Sequence, residues 1–399
     1  MDHRKSLLKP IIKNKPIKRR IVVLLVLLVL AALIIVTAWG LPITEQEFGQ
    51  ADNIHTDDLE QGEETEIEPY EPPTITTRPR PEPIPNLDET SLNPLTGLPI
   101  DEKKVHSRPL AIALGNTNDG ALPLNGISDA DIVYEVPVEG GLTRFLAIYQ
   151  DFAEVKMAGS VRSARHYTAQ IARSYDAILA SVGASPMGAG EIRNLGVTHL
   201  NEVSGYNREV FRRDHNRVSG RRVGSVHATV ILGERVAEYL PQYNFRLEHE
   251  DGFELGLVFS DDVTISGGSN ANTITARFSA GKTTTFIYDA EKKLYFVHQY
   301  GMGLIDANDN SRAGFTNVLI LKTSVTGIPG DSEGRQNVVT IGEGEGYFAS
   351  GGEYVEIIWS RADMESPFVY MLRDGTVLEL GRGRTFICVV PTNMSAAFE

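Results

Sequence analysis

Residues 21–39 are apolar without a single charge, and the twenty residues before them carry eight Lys or Arg against one acid. No other feature constrains the chain as strongly. Nineteen residues at the helical rise reach roughly 28 Å, about the thickness of one hydrocarbon core. No polar face interrupts the run, as one would in a helix buried in a protein core. The basic flank stays in the cytoplasm, and the chain beyond the run faces outward. Thr37-Ala-Trp-Gly-Leu-Pro42 lacks a small-x-small cleavage site. The expectation is therefore an uncleaved single-pass anchor over 21–41 behind a cytoplasmic tail at 1–20, and not a cleaved signal peptide.

Cys388 is the only cysteine among 399 residues, so no intramolecular disulfide can form and no thiol near the N-terminus can carry a lipid. Its apolar neighbours in Thr385-Phe-Ile-Cys-Val-Val390 mark it as a buried hydrophobe. Residues 42–92 hold fourteen acids against two arginines, with many Pro and Thr. Such a segment cannot bury enough apolar surface to offset its ordering entropy, and it reads as an extended, disordered spacer.

From about residue 93 the pattern turns globular. Pro109–Leu114, Ala130–Val136 and Leu142–Tyr149 read as strands, with Gly140-Gly141 as a turn. Tyr167, Ile171, Tyr175 and Ile178 recur at helical spacing, and Ser160 or Ser163 is placed to cap that helix. Ala177–Val182 reads as a further strand. Ser185-Pro186 is a cap and first-turn pair for a second helix, and a third is expected over Ala228–Leu240. Helices alternating with strands predict an α/β or α+β domain with a mixed sheet over 93–252. After residue 253 short strands dominate, with turns at Asp289–Lys292, Ser350–Glu353 and Arg373–Thr376, which predicts a mainly β domain over 253–399.

Between residues 157 and 281 there is no lysine, and residues 159–235 hold eleven Arg and six acids in a chain of net charge −14. Arginine is suited to planar, bidentate capture of carboxylate or phosphate. Gly159-Ser-Val-Arg-Ser-Ala-Arg-His-Tyr167 puts Arg162, Arg165 and His166 at a helix start, where the dipole favours anions over cations. Two readings stay open. The arginines meet Asp129, Asp131, Glu135 or Glu139 internally, or they line a cleft for an anionic ligand. A second group, Arg212, Arg213, Arg217, Arg221 and Arg222, reads as a solvated loop or as an extension of the same surface.

In the ligand-binding reading Ser160, Ser163 and the helix start supply hydrogen bonds. Arg144, Asp131 and Glu135 position the arginines by ion pairing, and His166, Ser185 and Arg213 complete the candidate set. Asp131 and Glu135 lie at odd spacing in a predicted strand and so share a face, where they could instead hold a divalent cation. Gly183-Ala-Ser-Pro-Met187 fails the nucleophile-elbow pattern, Gly342-Glu-Gly-Glu-Gly346 has no helix after it, and the histidines lack metal-ligand spacing. No cofactor or metal is therefore expected. An acidic domain facing outward is also a poor partner for nucleic acid.

These residues resemble the YerB-like family of bacterial envelope proteins, many of them lipoproteins. The resemblance covers about residues 93–391. It rests on Asn93-Pro-Leu-Thr-Gly97, Gly126-Ile-Ser-Asp-Ala-Asp-Ile-Val-Tyr-Glu135, Val138-Glu-Gly-Gly-Leu-Thr-Arg-Phe145, Gly159–Arg165, Gly183–Pro186, Gly342–Tyr347 and Tyr354–Trp359. It implies two domains and no particular activity. The chain departs from the family by lacking a lipobox cysteine, and by Gly115-Asn116 where an Asp-Asn pair is common. Ala121-Leu-Pro123 likewise stands where Arg-Pro-Gln is common. The expectation is a membrane-anchored, extracytoplasmic binding or regulatory module of the cell envelope rather than an enzyme, with a wall polymer or envelope protein as partner. The alternatives are an envelope enzyme acting on phosphate- or glycan-containing substrates, and a docking module for another membrane protein.

Overall fold

Ile132-Val-Tyr-Glu-Val-Pro137 is β-branched and aromatic at most positions, and it lies at the centre of the fold. The computed structural model describes residues 91–203, 207–261, 265 and 267–399. The expected anchor at 21–41 lies outside them. No helix among the described residues is long and apolar enough to cross a membrane.

A short helix, Glu102–Val105, precedes three strands: β1 (Leu110–Asn116), β2 (Ile132–Pro137) and β3 (Thr143–Tyr149). β3 runs antiparallel to both others, and Gly140 and Gly141, both at φ near +70°, make the turn into it. Helix α1 (His166–Ser174) leads to β4 (Ile178–Ser181), and α2 (Pro186–Asn194) leads to β5 (His199–Asn201). β4 lies parallel to β1, and β5 parallel to β4.

The later half adds β6 (Asn317–Thr323), β7 (Gly342–Ser350), β8 (Glu353–Arg361) and β9 (Thr385–Pro391). From one edge the sheet runs Ser269–Asn270, β8, β7, β6, β9, β2, β3, β1, β4, β5, with Val369–Leu372 also pairing β8. β9 lies parallel to β2 on one side and to β6 on the other, so strands from both halves form one sheet.

Alternation along β2 sends Ile132, Tyr134 and Val136 to one face, and Val133 and Glu135 to the other. On the first face Tyr167 and Ile171 of α1, and Tyr175 at its C-cap, pack against Tyr134, Leu146 and Ile148. Each such buried side chain contributes roughly 1.5–3 kcal/mol. The Tyr134 and Tyr175 hydroxyls meet at 2.8 Å, which satisfies two phenols inside that core. On the second face lies a smaller, six-stranded antiparallel sheet that includes Thr273–Arg277, Thr283–Asp289, Leu294–Gln299 and Ala396–Phe398. Phe145, Phe286, Phe315 and Phe386 fill the space between the sheets. The first part is thus a mixed sheet with helices, and the second is mainly β, as the pattern predicts.

Two local expectations are corrected. The helix expected over Ala228–Leu240 is a strand at Thr229–Ile231 followed by a shorter helix, α3 (Gly233–Tyr239). Thr229-Val-Ile231 is β-branched throughout and pairs with Ala158–Gly159 and Phe211–Arg213. Gly233 starts α3 because a Cβ there would stand 2.0 Å from the Phe152 carbonyl oxygen. The cap of α1 is neither Ser160 nor Ser163. Residue 165 is the capping position, and its N–H donates to Thr168 Oγ1 at 2.8 Å. Ser185 does cap α2, its Oγ accepting from Gly188 N at 3.1 Å, with Pro186 next in line.

Candidate functional site

Residues 161–164 run as an extended segment wedged between β1 and the turn after β4. Arg162 N donates to Ala113 O at 2.8 Å, Val182 N to Arg162 O at 3.1 Å, and Ala164 N to Gly183 O at 3.0 Å. This fixes the backbone from which Arg162 and Arg165 project at the carboxyl end of β1 and β4. The Arg162 stem crosses Gly115, where a Cβ would stand 3.2 Å from Arg162 Cγ. Arg144 arrives from β3, directly opposite Gly115 in the ladder.

Three arginines thus gather around one acid, Glu139, in the β2–β3 turn. Arg165 is the tightest partner: Nε stands 3.2 Å from Glu139 Oε2, and its Nη2 bonds Oε1. Arg144 Nη2 lies 3.9 Å from the same carboxylate, while its Nη1 holds the Ser163 carbonyl. Arg162 makes no carboxylate contact within 4.0 Å among the described residues. Its Nη1 bonds only the Val226 carbonyl. Burial works to raise the pKa of Glu139, but its own backbone N–H and the two arginines outweigh that and hold it below the usual value. Burial first, and then Arg165, press down on the charge of Arg144. Burial does the same to Arg162, with Asp119 as the largest opposing influence. The cluster therefore holds more positive charge than its own acids relieve.

The other candidate residues go elsewhere. Asp131 and Glu135 do not pair with these arginines. Asp131 accepts from Gln150 N at 2.6 Å and Asn93 Nδ2 at 3.0 Å, and burial raises its pKa to about 6. That bond explains Asn93 in the Asn93–Gly97 motif. Glu135 faces the small sheet, accepts four hydrogen bonds, from Asn116, Thr143, Thr284 and Gln299, at 2.6–3.0 Å, and pairs with Lys282 Nζ at 2.8 Å. Among the described residues no group of three or more His, Cys, Asp and Glu is placed to hold a metal ion.

His166 Nε2 meets Asn337 Oδ1 at 2.9 Å, and burial lowers its pKa. The Ser160 hydroxyl is buried without a hydrogen-bond partner. Arg213 stands 3.2 Å from Glu202, outside the three-arginine cluster. Arg217 is no solvated residue. It is 3 % exposed and donates to the carbonyls of Gly120, Ala121, Pro123 and His227 and to Asn125 Oδ1, which staples the 120–125 loop.

Two features have no sequence signal. Lys282 is the first lysine after the lysine-free stretch, but nothing local marks it as the partner of Glu135. Ser181 Oγ lies 2.7 Å from His199 Nε2, at the ends of adjacent parallel strands. Ser181 is fully buried, whereas His199 is only partly so. Burial pushes His199 down to about 4.

Comparison with known proteins gives a consistent answer. Residues 95–242 match the family described as "Protein of unknown function (DUF3048) N-terminal domain", and residues 274–387 match its C-terminal domain. A Bacillus subtilis (strain 168) protein named "Putative lipoprotein YerB" is 25 % identical over 311 residues, which span 77 % of this chain and 88 % of that one. The crystal structure of the YerB protein from Bacillus subtilis superposes with a TM-score of 0.64 at 24 % identity, over 77 % of this chain and 99 % of that one. Its fold is the one described above. With both domains matched in order along one continuous sheet, the chain belongs to the two-domain YerB-like family, DUF3048.

Proposed function

We propose that this protein is a membrane-anchored module of the bacterial envelope that captures an anionic ligand at the Arg144–Arg162–Arg165 cluster. The name of the Bacillus relative supports an extracytoplasmic setting, and the charge-free apolar run at residues 21–39 is the anchor in this reading. The observation that carries the reading is Arg162, a partly buried guanidinium with one carbonyl for a partner and no carboxylate within ion-pair distance among the described residues. A carboxylate or phosphate there would gain charge-assisted hydrogen bonds.

The surroundings favour a peptide carboxylate over a purely polar polymer. Leu142 and Met187 are exposed on segments that contact the cluster through Glu139 and through Gly188. Val226, whose carbonyl holds Arg162, and Val339, two residues from the partner of His166, are exposed as well. Apolar side chains around a cationic centre suit a ligand with a charged end and an apolar body.

The test is co-sedimentation of the full-length chain with purified cell walls, with and without their anionic polymers, across a salt series. Arg162→Ala is expected to weaken salt-sensitive binding about tenfold or more while leaving unfolding unchanged. Binding that the variant retains in full refutes the reading. Binding that requires the polymers shifts the ligand from peptide to polymer.

A further inference from the structure

We propose that the opposite end of the sheet carries a second anion site, for a small phosphate- or carboxylate-bearing molecule. A cavity of about 260 Å³ opens there, lined by Arg108, Arg173, Asp176, Thr198, Arg246 and Glu250 among others. Arg108 precedes β1, Asp176 precedes β4 and Thr198 precedes β5. The cavity thus sits at the amino ends of the parallel strands, whereas the Arg162 cluster sits at their carboxyl ends. At about 30 Å³ per water, it has room for roughly eight or nine waters, enough for an anionic group with a small body attached.

Three guanidiniums share one buried carboxylate. Arg246 grips Asp176 through both oxygens at 2.6 and 2.7 Å, His249 Nδ1 meets it at 3.1 Å, and Arg108 and Arg173 reach it at 3.4 and 3.5 Å. The remaining acids are peripheral. Glu250 lies 3.7 Å from Arg246 and Glu365 lies 3.2 Å from Arg173, and both are 76 % exposed. Arginine cannot shed its charge, so the cavity rejects cations and is short of negative charge.

The walls are fixed in advance. Arg108, 4 % exposed, donates to the Asp176 carbonyl at 2.6 Å, to Thr198 Oγ1 at 3.0 Å and to the Arg246 carbonyl at 2.8 Å. Arg173 is the group left wanting. Its Nε is buried with no acceptor, and its bond to Asp176 is long. A buried donor without a partner is uncommon, and an anion in the cavity would supply one. Asp176 does not repel that anion, because both its oxygens already face cations.

The experiment titrates the full-length chain with inorganic phosphate and with glucose 6-phosphate at constant ionic strength. Binding is read by calorimetry and by thermal unfolding. The Arg162→Ala background silences the other cluster, so failure of this inference is separate from failure of the proposed function. Phosphate is expected to raise Tm beyond a matched chloride control, with a dependence that follows ligand binding to the native state. Arg173→Gln is expected to lower the affinity about tenfold. An equal response in both chains, or none beyond chloride, overturns the proposal. If Arg173→Gln does not fold, Glu250→Gln decides instead: it removes a competing carboxylate and must tighten phosphate binding, and unchanged or weaker binding overturns the proposal.

Discussion

Glu135 and Glu139 stand four residues apart, one in β2 and one in the turn that leaves it, and they meet opposite surroundings. Glu135 is fully buried, its charge cancelled by Lys282 and its oxygens held by four hydrogen-bond donors. Glu139 keeps 32 % of its side chain exposed and answers two of three nearby arginines. The first ion pair is closed, and its role is to join β2 to the small sheet. The second is open, because Arg162 has no carboxylate within 4.0 Å among the described residues. Burial, and not residue type, separates the closed pair from the open one.

The largest expected effect tests the closed pair. Lys282→Met strands a buried carboxylate and should cost about 3–5 kcal/mol in denaturant unfolding, most of it recovered in the Glu135→Gln/Lys282→Met double variant. A loss under about 1 kcal/mol would mean that the two regions do not differ. Next comes the open cluster. Arg165→Ala should lose about 1–2 kcal/mol, because it strands the half-covered Glu139. Arg162→Ala should lose no more than about 0.5 kcal/mol, since it breaks a single bond to a carbonyl. Equal losses would erase the distinction between paired and free arginine.

A pH series sharpens the role of burial. His199 is pushed down to about 4, so its neutral form belongs to the fold. The stability it contributes is lost as pH falls from about 6.5 towards 4, and His199→Gln should gain about 1–2 kcal/mol relative to the parent between pH 7 and pH 5. Asp306, raised to about 6 by burial, acts with the opposite sign. Its contribution is present below about 4 and is lost as pH rises through 6, so Asp306→Asn should flatten that fall. Parallel slopes in the two variants would contradict burial as the cause. A last variant, Gly115→Asp, places a carboxylate beside the Arg162 stem, at a buried position where its Cβ would stand 3.1 Å from Ala121 Cβ. It should cost about 1–3 kcal/mol in stability through crowding and weaken anion capture severalfold, turning the open cluster into a closed one. Unaltered capture would show that Arg162 does not need to be free.

Much of the local structure was legible in the sequence. The strands around Ile132, Phe145 and Ile178 follow from β-branched and apolar runs. Ser185-Pro186 follows from capping chemistry, and the Asp289–Lys292 and Ser350–Glu353 turns join the strand pairs expected of them. The arginine cluster was legible as a group because its composition departs so sharply from the rest of the chain. What stayed hidden depends on distant residues. Four acids were within reach of the arginines by sequence, and only the β2–β3 turn selects Glu139. Lys282 finds Glu135, and Arg217 finds the 120–125 loop, only after the chain has folded back. Thr229–Ile231 carried its signal in three β-branched residues, which the helical spacing around them masked.

β9 lies between β2 and β6, yet it follows both of them in the chain. Until it arrives, both neighbours present an unsatisfied row of backbone groups, and pairings that span most of the sequence are slow to form. A ribosome that stops short of residue 385 therefore yields an adhesive fragment with two raw edges, not a smaller working protein. Assembly of the centre waits on β9, and so does protection from proteases and from neighbouring chains.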